Sequence, residues 1–188
     1  MSTVLFYKGT PGGCAGPPNI MPGCNFDLWQ PTWRQLKPAG LPSFPFVVWS
    51  LLSLLGFLPG RHYSVAVIRQ WSRVVHRSTV TPRYFRFPFM EKADLQIGDT
   101  WTAEPFRGRG LAGAAIQEIL RQDADQARVY WYVVDAGNAA SIRVIEKAGF
   151  HRVGEGLRTR RFRLRILGEF RILRFVSDHV LKQTSLAE

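Results

Sequence analysis

The sequence predicts an α/β fold in which a central mixed β-sheet is flanked by helices. Three observations support this prediction. Short apolar or alternating stretches typical of strands recur from residue 63 onward, two stretches show the 3.6-residue spacing of helices, and these helices lie between strands. A strand–helix–strand order needs a crossover connection. We therefore expect parallel neighbours in the middle of the sheet.

The elements after residue 63 follow the order strand, strand, strand, helix, strand, helix, strand, strand. Strands are predicted at Ser64–Gln70, Val74–Thr81, Asp94–Thr102, Arg128–Val134, Phe150–Gly156 and Arg161–Leu167, and an alternating segment at Arg83–Met90 continues the second of them. Helices are predicted at Leu111–Arg121 and Asn138–Ala148. Asn138 is a typical helix N-cap, and Gly149 is a typical helix terminator.

Residues 1–60 differ in composition, and we expect them to form an atypical apolar, Gly/Pro-rich segment that packs on or near a domain spanning 61–188. Their charged residues are few: Lys8, Asp27, Arg34 and Lys37. Val4–Tyr7 predicts a short strand, 11–23 predicts a loop, and Phe26–Leu36 predicts a helix that Pro31 starts or interrupts.

The stretch Phe46–Leu58 is almost wholly apolar. It is shorter than the ~20 residues that a membrane-spanning helix needs, and Gly56 weakens it further. Two interpretations stay open: a helix buried in the core, or a segment that lies on a membrane surface. Trp49 suits both, since tryptophan is common in cores and at membrane interfaces.

The composition indicates an acidic partner or a strongly solvated surface. The 188 residues carry a formal net charge of +11, mostly from arginine, which favours planar contacts with phosphate and carboxylate. A phosphorylated cofactor, a nucleotide-sugar, an anionic lipid and a nucleic acid are the candidate classes. No nucleic-acid-binding motif is visible, so we do not expect that partner.

Cysteine content and the N-terminus predict a reduced, cytoplasmic protein. Cys14 and Cys24 cannot form a disulfide framework, and their spacing lacks the further ligands of a metal site, so we expect no metal. Residues 1–16 lack the basic start and apolar run of a signal peptide.

The most informative motif is the turn Arg107-Gly108-Arg109-Gly110-Leu111-Ala112, which lies between a predicted strand and a predicted helix. A side-chain-poor turn exposes successive backbone N–H groups at a helix start, where the helix dipole also favours negative charge. The flanking arginines add positive charge. The motif therefore predicts a pyrophosphate site.

This turn resembles the (Arg/Gln)-x-x-Gly-x-(Gly/Ala) signature of the GNAT superfamily of N-acetyltransferases. A second segment, Asn138–Phe150, is similar to the family's Asn-x-x-(Ala/Ser)…Glu-Lys-x-Gly-Phe helix, and it follows at the expected distance. The resemblance covers about residues 62–167. Two signatures in the right order are far more specific than a single glycine-rich turn.

The resemblance implies acetyl-CoA, or a related acyl-CoA, as the acyl donor. The pyrophosphate would lie on the N–H groups of the turn, the pantetheine arm would pair with the backbone of the preceding strand, and the asparagine of the second signature would contact the same arm. The residues implied are Trp101, Thr102, Arg107, Gly108, Arg109, Gly110, Leu111, Ala112, Asn138 and Ser141.

The expected chemistry is attack of a neutral amine on the thioester, so a group must accept the amine's proton. Asp99 is the carboxylate in the middle of the fourth predicted strand and is our candidate base; a surface carboxylate is the alternative. Its side chain faces the substrate only if a bulge changes the register. Ile145 stands where many family members have a tyrosine acid, which leaves Tyr84, water or unassisted departure of the thiolate.

The acceptor is less defined. The arginine-rich C-terminal region and the apolar N-terminal run favour an amino-sugar of a nucleotide- or lipid-linked precursor of envelope polysaccharide, with peripheral membrane contact. Protein N-termini, small amines and amino acids stay open. Two alternatives to acetyl transfer are a noncatalytic acyl-CoA-binding module of the same fold and an acyltransferase with a longer acyl donor. A homodimer is also expected.

Overall fold

The computed structural model describes residues 3–11, 20–59, 62–123, 128–159 and 168–176. The predicted strand Arg161–Leu167 and Cys14 lie outside these ranges. The described strands are β1 (Thr3–Gly9), β2 (Cys24–Trp29), β3 (Ser64–Gln70), β4 (Arg73–Pro82), β5 (Leu95–Thr102), β6 (Tyr130–Asp135), β7 (His151–Arg158) and β8 (Phe170–Phe175). The described helices are α1 (Phe46–Leu54), α2 (Leu111–Gln122) and α3 (Ala139–Lys147), with a 3₁₀ turn at Glu104–Phe106.

The eight described strands form one sheet in the order β2-β3-β4-β5-β6-β1-β7-β8. Only the β5–β6 pairing is parallel, and α2 makes the crossover between these two strands. The second predicted crossover does not give neighbours, because β1 lies between β6 and β7 and pairs antiparallel with both. The mixed sheet flanked by helices is confirmed.

The sheet runs across the expected division at residue 60, since β1 and β2 are both hydrogen-bonded members of it. The predicted helix at Phe26–Leu36 is wrong: the first part of this segment belongs to strand β2. Phe26 and Leu28 are half-buried there, whereas Asn25 and Asp27 are exposed. That period of two is the signal of a half-buried strand.

The predicted extension of the second strand over Arg83–Met90 is also wrong. Strand β4 ends at Pro82, whose nitrogen carries no hydrogen for the strand ladder. The next residues form turns, in which Phe87 N–H donates to the Tyr84 carbonyl oxygen at 2.9 Å and Met90 N–H donates to the Phe87 carbonyl oxygen at 3.3 Å. Of the aromatic residues in this segment, Phe87 is buried in the core, Tyr84 and Phe89 are half-buried, and Phe85 is exposed.

The two faces of the sheet are covered by different helices. On one face, Ala66 and Ile68 of β3 pack with side chains of α2. On the other face, Val65 and Val67 of the same strand pack with Phe46 of α1. Because neighbouring strand residues point to opposite faces, α1 and α2 lie on opposite sides of the sheet.

Helix α1 covers nine residues of the apolar stretch, and it is neither fully buried nor fully exposed. Phe46, Ser50 and Ser53 are buried, whereas Val48 is exposed. Among the described residues, no helix has both the length and the apolar character that crossing a membrane requires.

Candidate active site

The sheet opens into a fork between β5 and β6. The two strands pair only at Leu95–Tyr130, Gln96–Trp131 and Ile97–Tyr132. From Gly98 onward, β5 pairs only with β4 within the described part of the chain. The side of β5 that faces the fork therefore presents backbone N–H and carbonyl groups that an extended ligand can pair with.

A cavity of about 800 Å³ lies beside this fork, bounded by the end of β5, the glycine-rich turn, the start of α2 and one side of α3. Its volume is in the range of sites that bind cofactors. The cavity is lined by Thr100, Trp101, Thr102, Phe106, Arg107, Gly108, Arg109, Gly110, Leu111, Ala112, Gly113, Ala114, Gln117, Tyr132, Ala140, Ser141, Arg143, Val144, Lys147 and Ala148.

The turn before α2 has the form expected of an anion site. Gly108 and Gly110 have φ of +74° and +77°, and an added Cβ at either position would meet no atom within 4 Å. Gly110 is the N-cap of α2, no side chain caps this helix, and its first turn holds no acidic residue. The first N–H groups of a helix lack intrahelical acceptors, so they stay available to a phosphate.

Four cationic side chains line the cavity. The Nε of Arg107 donates to the Thr102 carbonyl oxygen at 3.3 Å, and the guanidinium of Arg109 lies 5.5 Å from the centroid of the Phe106 ring. Arg143 and Lys147 project from α3. These two side chains were not predicted from the sequence, although their spacing of four residues places them on one side of a helix.

The structure brings together nine of the residues predicted for the coenzyme. The cavity is lined by Trp101, Thr102, Arg107, Gly108, Arg109, Gly110, Leu111, Ala112 and Ser141. Two predicted site residues are not in that lining, Asn138 and Asp99. Asn138 is the N-cap of α3, where its Oδ1 accepts a hydrogen bond from the Ser141 N–H at 3.1 Å.

Asp99 lies in a β-bulge. Arg77 pairs with Trp101 and Thr79 with Gly98, so Asp99 and Thr100 together face a single residue of β4. Asp99 has φ of +44°, a strained value for a residue with a side chain. Its half-exposed carboxylate forms an ion pair with Arg77.

The guanidinium of Arg77 lies 5.2 Å from the centroid of the Phe46 ring in α1. The Asp99 carboxylate therefore lies on the α1 face, whereas α2 and α3 bound the coenzyme cavity on the other face. An acceptor amine that reached Asp99 would approach from the face opposite the coenzyme.

A buried hydroxyl–imidazole chain runs behind the cavity wall, and the sequence analysis did not find it. His76 Nδ1 lies 2.8 Å from Thr102 Oγ1, His76 Nε2 lies 3.2 Å from Ser78 Oγ, and Ser78 Oγ lies 3.0 Å from Thr100 Oγ1. Burial lowers the pKa of His76 to about 4, and the charge of Arg77 adds to that effect. The imidazole is therefore neutral at pH 7.

A neutral imidazole carries a single N–H, and this fixes the polarity of the whole chain. If Nδ1 holds the proton, Thr102 is left with a free O–H and Thr100 with a free acceptor. If Nε2 holds it, the two roles exchange. In either tautomer, His76 lets the cavity wall offer one hydroxyl donor and one hydroxyl acceptor.

The tyrosine at the apex of the fork is Tyr132. It forms the last β5–β6 pair, opposite Ile97, and it lines the cavity. Ile145, which stands where a tyrosine acid was sought, is fully buried in the core. Tyr84 packs against Trp49 at 4.9 Å between ring centroids, burial raises its pKa, and it is not among the cavity-lining residues.

The C-terminal arginines are largely engaged with acidic groups where the structure describes them. Glu155 forms ion pairs with Arg152 and Arg174, at N···O distances of 2.9 Å and 3.9 Å. Glu169 forms an ion pair with Arg171 at 3.2 Å. Arg160, Arg161, Arg163 and Arg165 lie outside the described residues. The positive charge of the arginine-rich C-terminal region is therefore partly neutralised.

A family model supports the interpretation of the cavity. Residues 26–150 match the acetyltransferase (GNAT) family, which is more than half of the chain. The chain belongs to the GNAT acetyltransferase family. Members of this family are acyl-CoA-dependent transferases that use acetyl-CoA as co-substrate. A comparison with curated proteins found no match.

Solved GNAT structures share the fold. A GCN5-related N-acetyltransferase from Sphaerobacter thermophilus has a TM-score of 0.57 at 18% identity, over 82% of this chain and 49% of that one. A tandem GNAT protein from the clavulanic acid biosynthesis pathway has a TM-score of 0.56 at 12% identity, over 81% and 50%. A GCN5-related N-acetyltransferase from Kribbella flavida has a TM-score of 0.50 at 13% identity, over 80% and 55%. The chain thus spans about half the length of these GNAT proteins.

Proposed function

We propose that this GNAT protein transfers the acetyl group of acetyl-CoA to a primary amine. One observation carries the proposal: the fork between β5 and β6 and the uncapped start of α2 open onto the same cavity. The fork offers backbone groups to an extended arm, and the helix start offers N–H groups to a diphosphate. Acetyl-CoA contains both parts in one molecule.

Each part of the coenzyme has a matching group in the chain. The N–H groups at Gly108, Gly110, Leu111 and Ala112 would hold the pyrophosphate between Arg107 and Arg109, and the backbone at Trp101 and Thr102 would pair with the pantetheine. Ser141 would add a polar contact. Asn138 would contact the same arm through its amide NH₂, because its oxygen already caps α3.

The 3′-phosphate of the coenzyme also needs a partner. Arg143 and Lys147 line the cavity from α3, whereas Arg107 and Arg109 lie on the turn. We assign the 3′-phosphate to the α3 pair, because cationic donors on a separate element can bind a second phosphate without competing for the first.

The transfer itself needs a proton acceptor and a proton donor. The amine nitrogen attacks the carbonyl carbon of the thioester, and the C–S bond breaks to release a thiolate. We assign the nitrogen's proton to the Asp99 carboxylate, which faces the side opposite the coenzyme. We assign protonation of the sulfur to Tyr132, because this tyrosine lines the cavity at the last β5–β6 pair, where the two strands separate.

The acceptor we propose is an amino-sugar that bears phosphate, such as one in a nucleotide- or lipid-linked precursor of envelope polysaccharide. Support comes from the net charge of +11 and from arginine side chains near the C-terminal strands. Arg86 and Arg158 both lie over the ring of Phe170, at 5.7 Å and 5.4 Å from its centroid. Phosphate is a favoured partner for such guanidinium groups.

An amine panel tests the proposed function. The full chain is mixed with acetyl-CoA and, separately, with amino-sugar phosphates, unphosphorylated amino sugars, amino acids, peptides and polyamines, and release of free CoA thiol is followed with mass analysis of the product. We expect acetylation of phosphorylated amino sugars to be fastest. Calorimetric binding of acetyl-CoA without turnover of any amine would instead establish the noncatalytic module, and turnover only in a parallel panel with longer acyl-CoA would establish the longer donor.

A further inference from the structure

Helix α1 buries two serines beside Phe46 and leaves apolar side chains exposed on another side. Ser50 and Ser53 are buried against the sheet, and the Ser50 Oγ finds no hydrogen-bond partner among the described residues. On the opposite side, Val48 is 43% exposed and Leu55 is 59% exposed. A helix selected only to cover the core would have the reverse arrangement.

The exposed apolar side chains lie close together along the chain. At 100° per residue, the exposed Val48 and Leu55 and the half-buried Leu51 fall within an arc of about 60° on one side of the helix. Phe44 just before the helix is 75% exposed, and Phe57 just after it is 71% exposed. We call these five residues the α1 stripe. Exposed apolar residues grouped in this way mark an interaction surface.

The surrounding sequence is basic and nearly free of acid. Of the 14 Asp and Glu residues of the chain, Asp27 alone lies within the first 90 residues, and it is paired with Arg69 at 3.2 Å. The same part of the chain carries Lys8, Arg34, Lys37, Arg61, Arg69, Arg73, Arg77, Arg83 and Arg86. A surface that complements this region, away from the Asp99–Arg77 pair on the same face, is therefore both apolar and anionic.

We propose that the α1 stripe docks onto an anionic phospholipid bilayer, with its apolar side chains at the boundary between head groups and acyl chains. Arg34, which is exposed, and Lys37, which donates to the carbonyl oxygen of Leu41 in the cluster under α1, would meet the negative head groups. The stripe itself contains no side chain that donates or accepts a hydrogen bond, which suits lipid better than a specific protein surface.

This docking leaves the coenzyme cavity accessible. The cavity is bounded by α2 and α3, and α1 lies on the opposite face of the sheet. Asp99 and its partner Arg77 lie on the α1 face. The bilayer would thus be next to the face from which the acceptor approaches.

Vesicle sedimentation tests the docking. The full chain is incubated with vesicles of phosphatidylcholine and with vesicles of phosphatidylcholine and phosphatidylglycerol in equal parts. We expect pelleting with the mixed vesicles only, weakened by salt because surface charge is screened. The double variant F44S/L55Q should bind roughly tenfold more weakly or worse, because it removes two large apolar groups from the contact.

The control is the double variant L173Q/F175S, which removes two exposed apolar side chains from β8 at the other edge of the sheet. It should bind the vesicles like the unaltered chain. Both variants should retain the unaltered melting temperature and coenzyme affinity, which separates docking from folding and from the proposed transfer.

Three results would overturn the docking: no pelleting of the unaltered chain, equal pelleting of F44S/L55Q, or a loss confined to L173Q/F175S. A further contradicting result is a dimer on size-exclusion chromatography that F44S/L55Q converts to monomer without any vesicle binding. The α1 stripe would then be an interface between two copies of the chain.

Discussion

At the scale of single residues, Tyr132 is the side chain on which protonation of the sulfur depends in this account. It lies at the last paired position of β6 and lines the cavity, whereas Tyr84 does not. The variant Y132F should lower kcat by roughly a hundredfold, the lower end of what a positioned acid contributes, with little change in the Kd of acetyl-CoA. Steady-state kinetics and calorimetry measure the two quantities.

The matched control for that tyrosine is Y84F, which removes a hydroxyl from the aromatic cluster on the other face. It should leave kcat within about twofold of the unaltered enzyme, since Tyr84 makes no contact with the cavity. A loss in Y84F with a normal Y132F would transfer the role of acid to Tyr84.

His76 predicts a pH dependence of stability. Its pKa is about 4 in the folded chain and ordinarily 6.5, so the unfolded chain binds a proton between these values that the folded chain does not. The free energy of unfolding should therefore fall by up to about 3 kcal/mol as the pH drops from 6.5 to 4, and this residue adds no pH dependence above that range. Urea titrations at several pH values measure it.

The variant H76Q keeps polar atoms in the hydroxyl chain without a titrating ring, so it should flatten that slope. His62 also has a lowered pKa, from burial and from Arg128, and it acts in the same direction. H62Q is the matched comparison. If the pH dependence of stability is unchanged in H76Q but flattened in H62Q, then His62 and not His76 is its cause.

Residues differ in how far the sequence could predict them. Gly108 and Gly110 were predictable because a positive φ and a helix start are local properties of a few adjacent positions. His76 and Tyr132 were not, because their roles depend on which strand lies alongside and on where a bulge shifts the register. Asp99 lies between these cases: its bulge was considered, but its ion pair with Arg77 depends on a second strand.

At the scale of elements, α3 serves both as a crossover helix and as one wall of the cavity. Arg143 and Lys147 face the cavity from it, one helical turn apart. The double variant R143A/K147A should weaken acetyl-CoA binding by roughly a hundredfold or more, since hydrogen bonds to charged groups are worth about 1.5–3 kcal/mol each and about 1.4 kcal/mol is tenfold in affinity. Calorimetry with acetyl-CoA measures this loss.

The same titration with 3′-dephospho-CoA identifies the phosphate involved. The double variant should bind this shorter ligand as well as the unaltered chain does, because the phosphate that the α3 pair holds is absent. R121A, on the exposed end of α2, is the control for loss of charge. Equal losses for both ligands would contradict the assignment to the 3′-phosphate.

Element boundaries followed from local patterns at β3, an apolar run that is buried on both faces, and at α2, which has one buried side. Strand β3 and helix α2 have the bounds expected from periodicity, within a residue or two. Strand β2 was mistaken for a helix for two reasons. Proline is common at a helix start, and a short apolar pattern does not distinguish the period of a strand from that of a helix. The position of β1 between β6 and β7 is a long-range choice that no local pattern contains.

At the scale of the whole molecule, the sheet separates two tasks. The face covered by α2 and α3 holds the coenzyme cavity, and the face covered by α1 carries the Asp99–Arg77 pair and the α1 stripe. Strand β1 pairs on both sides, with β6 and with β7, which closes the sheet there. The fork between β5 and β6 is thus the gap through which a coenzyme on one face can contact an acceptor on the other.

The most direct test of the central claim is the affinity of acetyl-CoA for the variant G110V, measured by calorimetry. Gly110 lies at the turn, and its φ of +77° is matched by the φ of +79° at Gly56, which is remote from the cavity lining; an added Cβ meets no atom within 4 Å at either position. G56V is therefore the control for backbone strain, which costs about 1–3 kcal/mol at such positions. We expect G110V to lose at least roughly tenfold in affinity for acetyl-CoA, while G56V binds normally. Unchanged affinity in G110V, or equal losses in both variants, would contradict it.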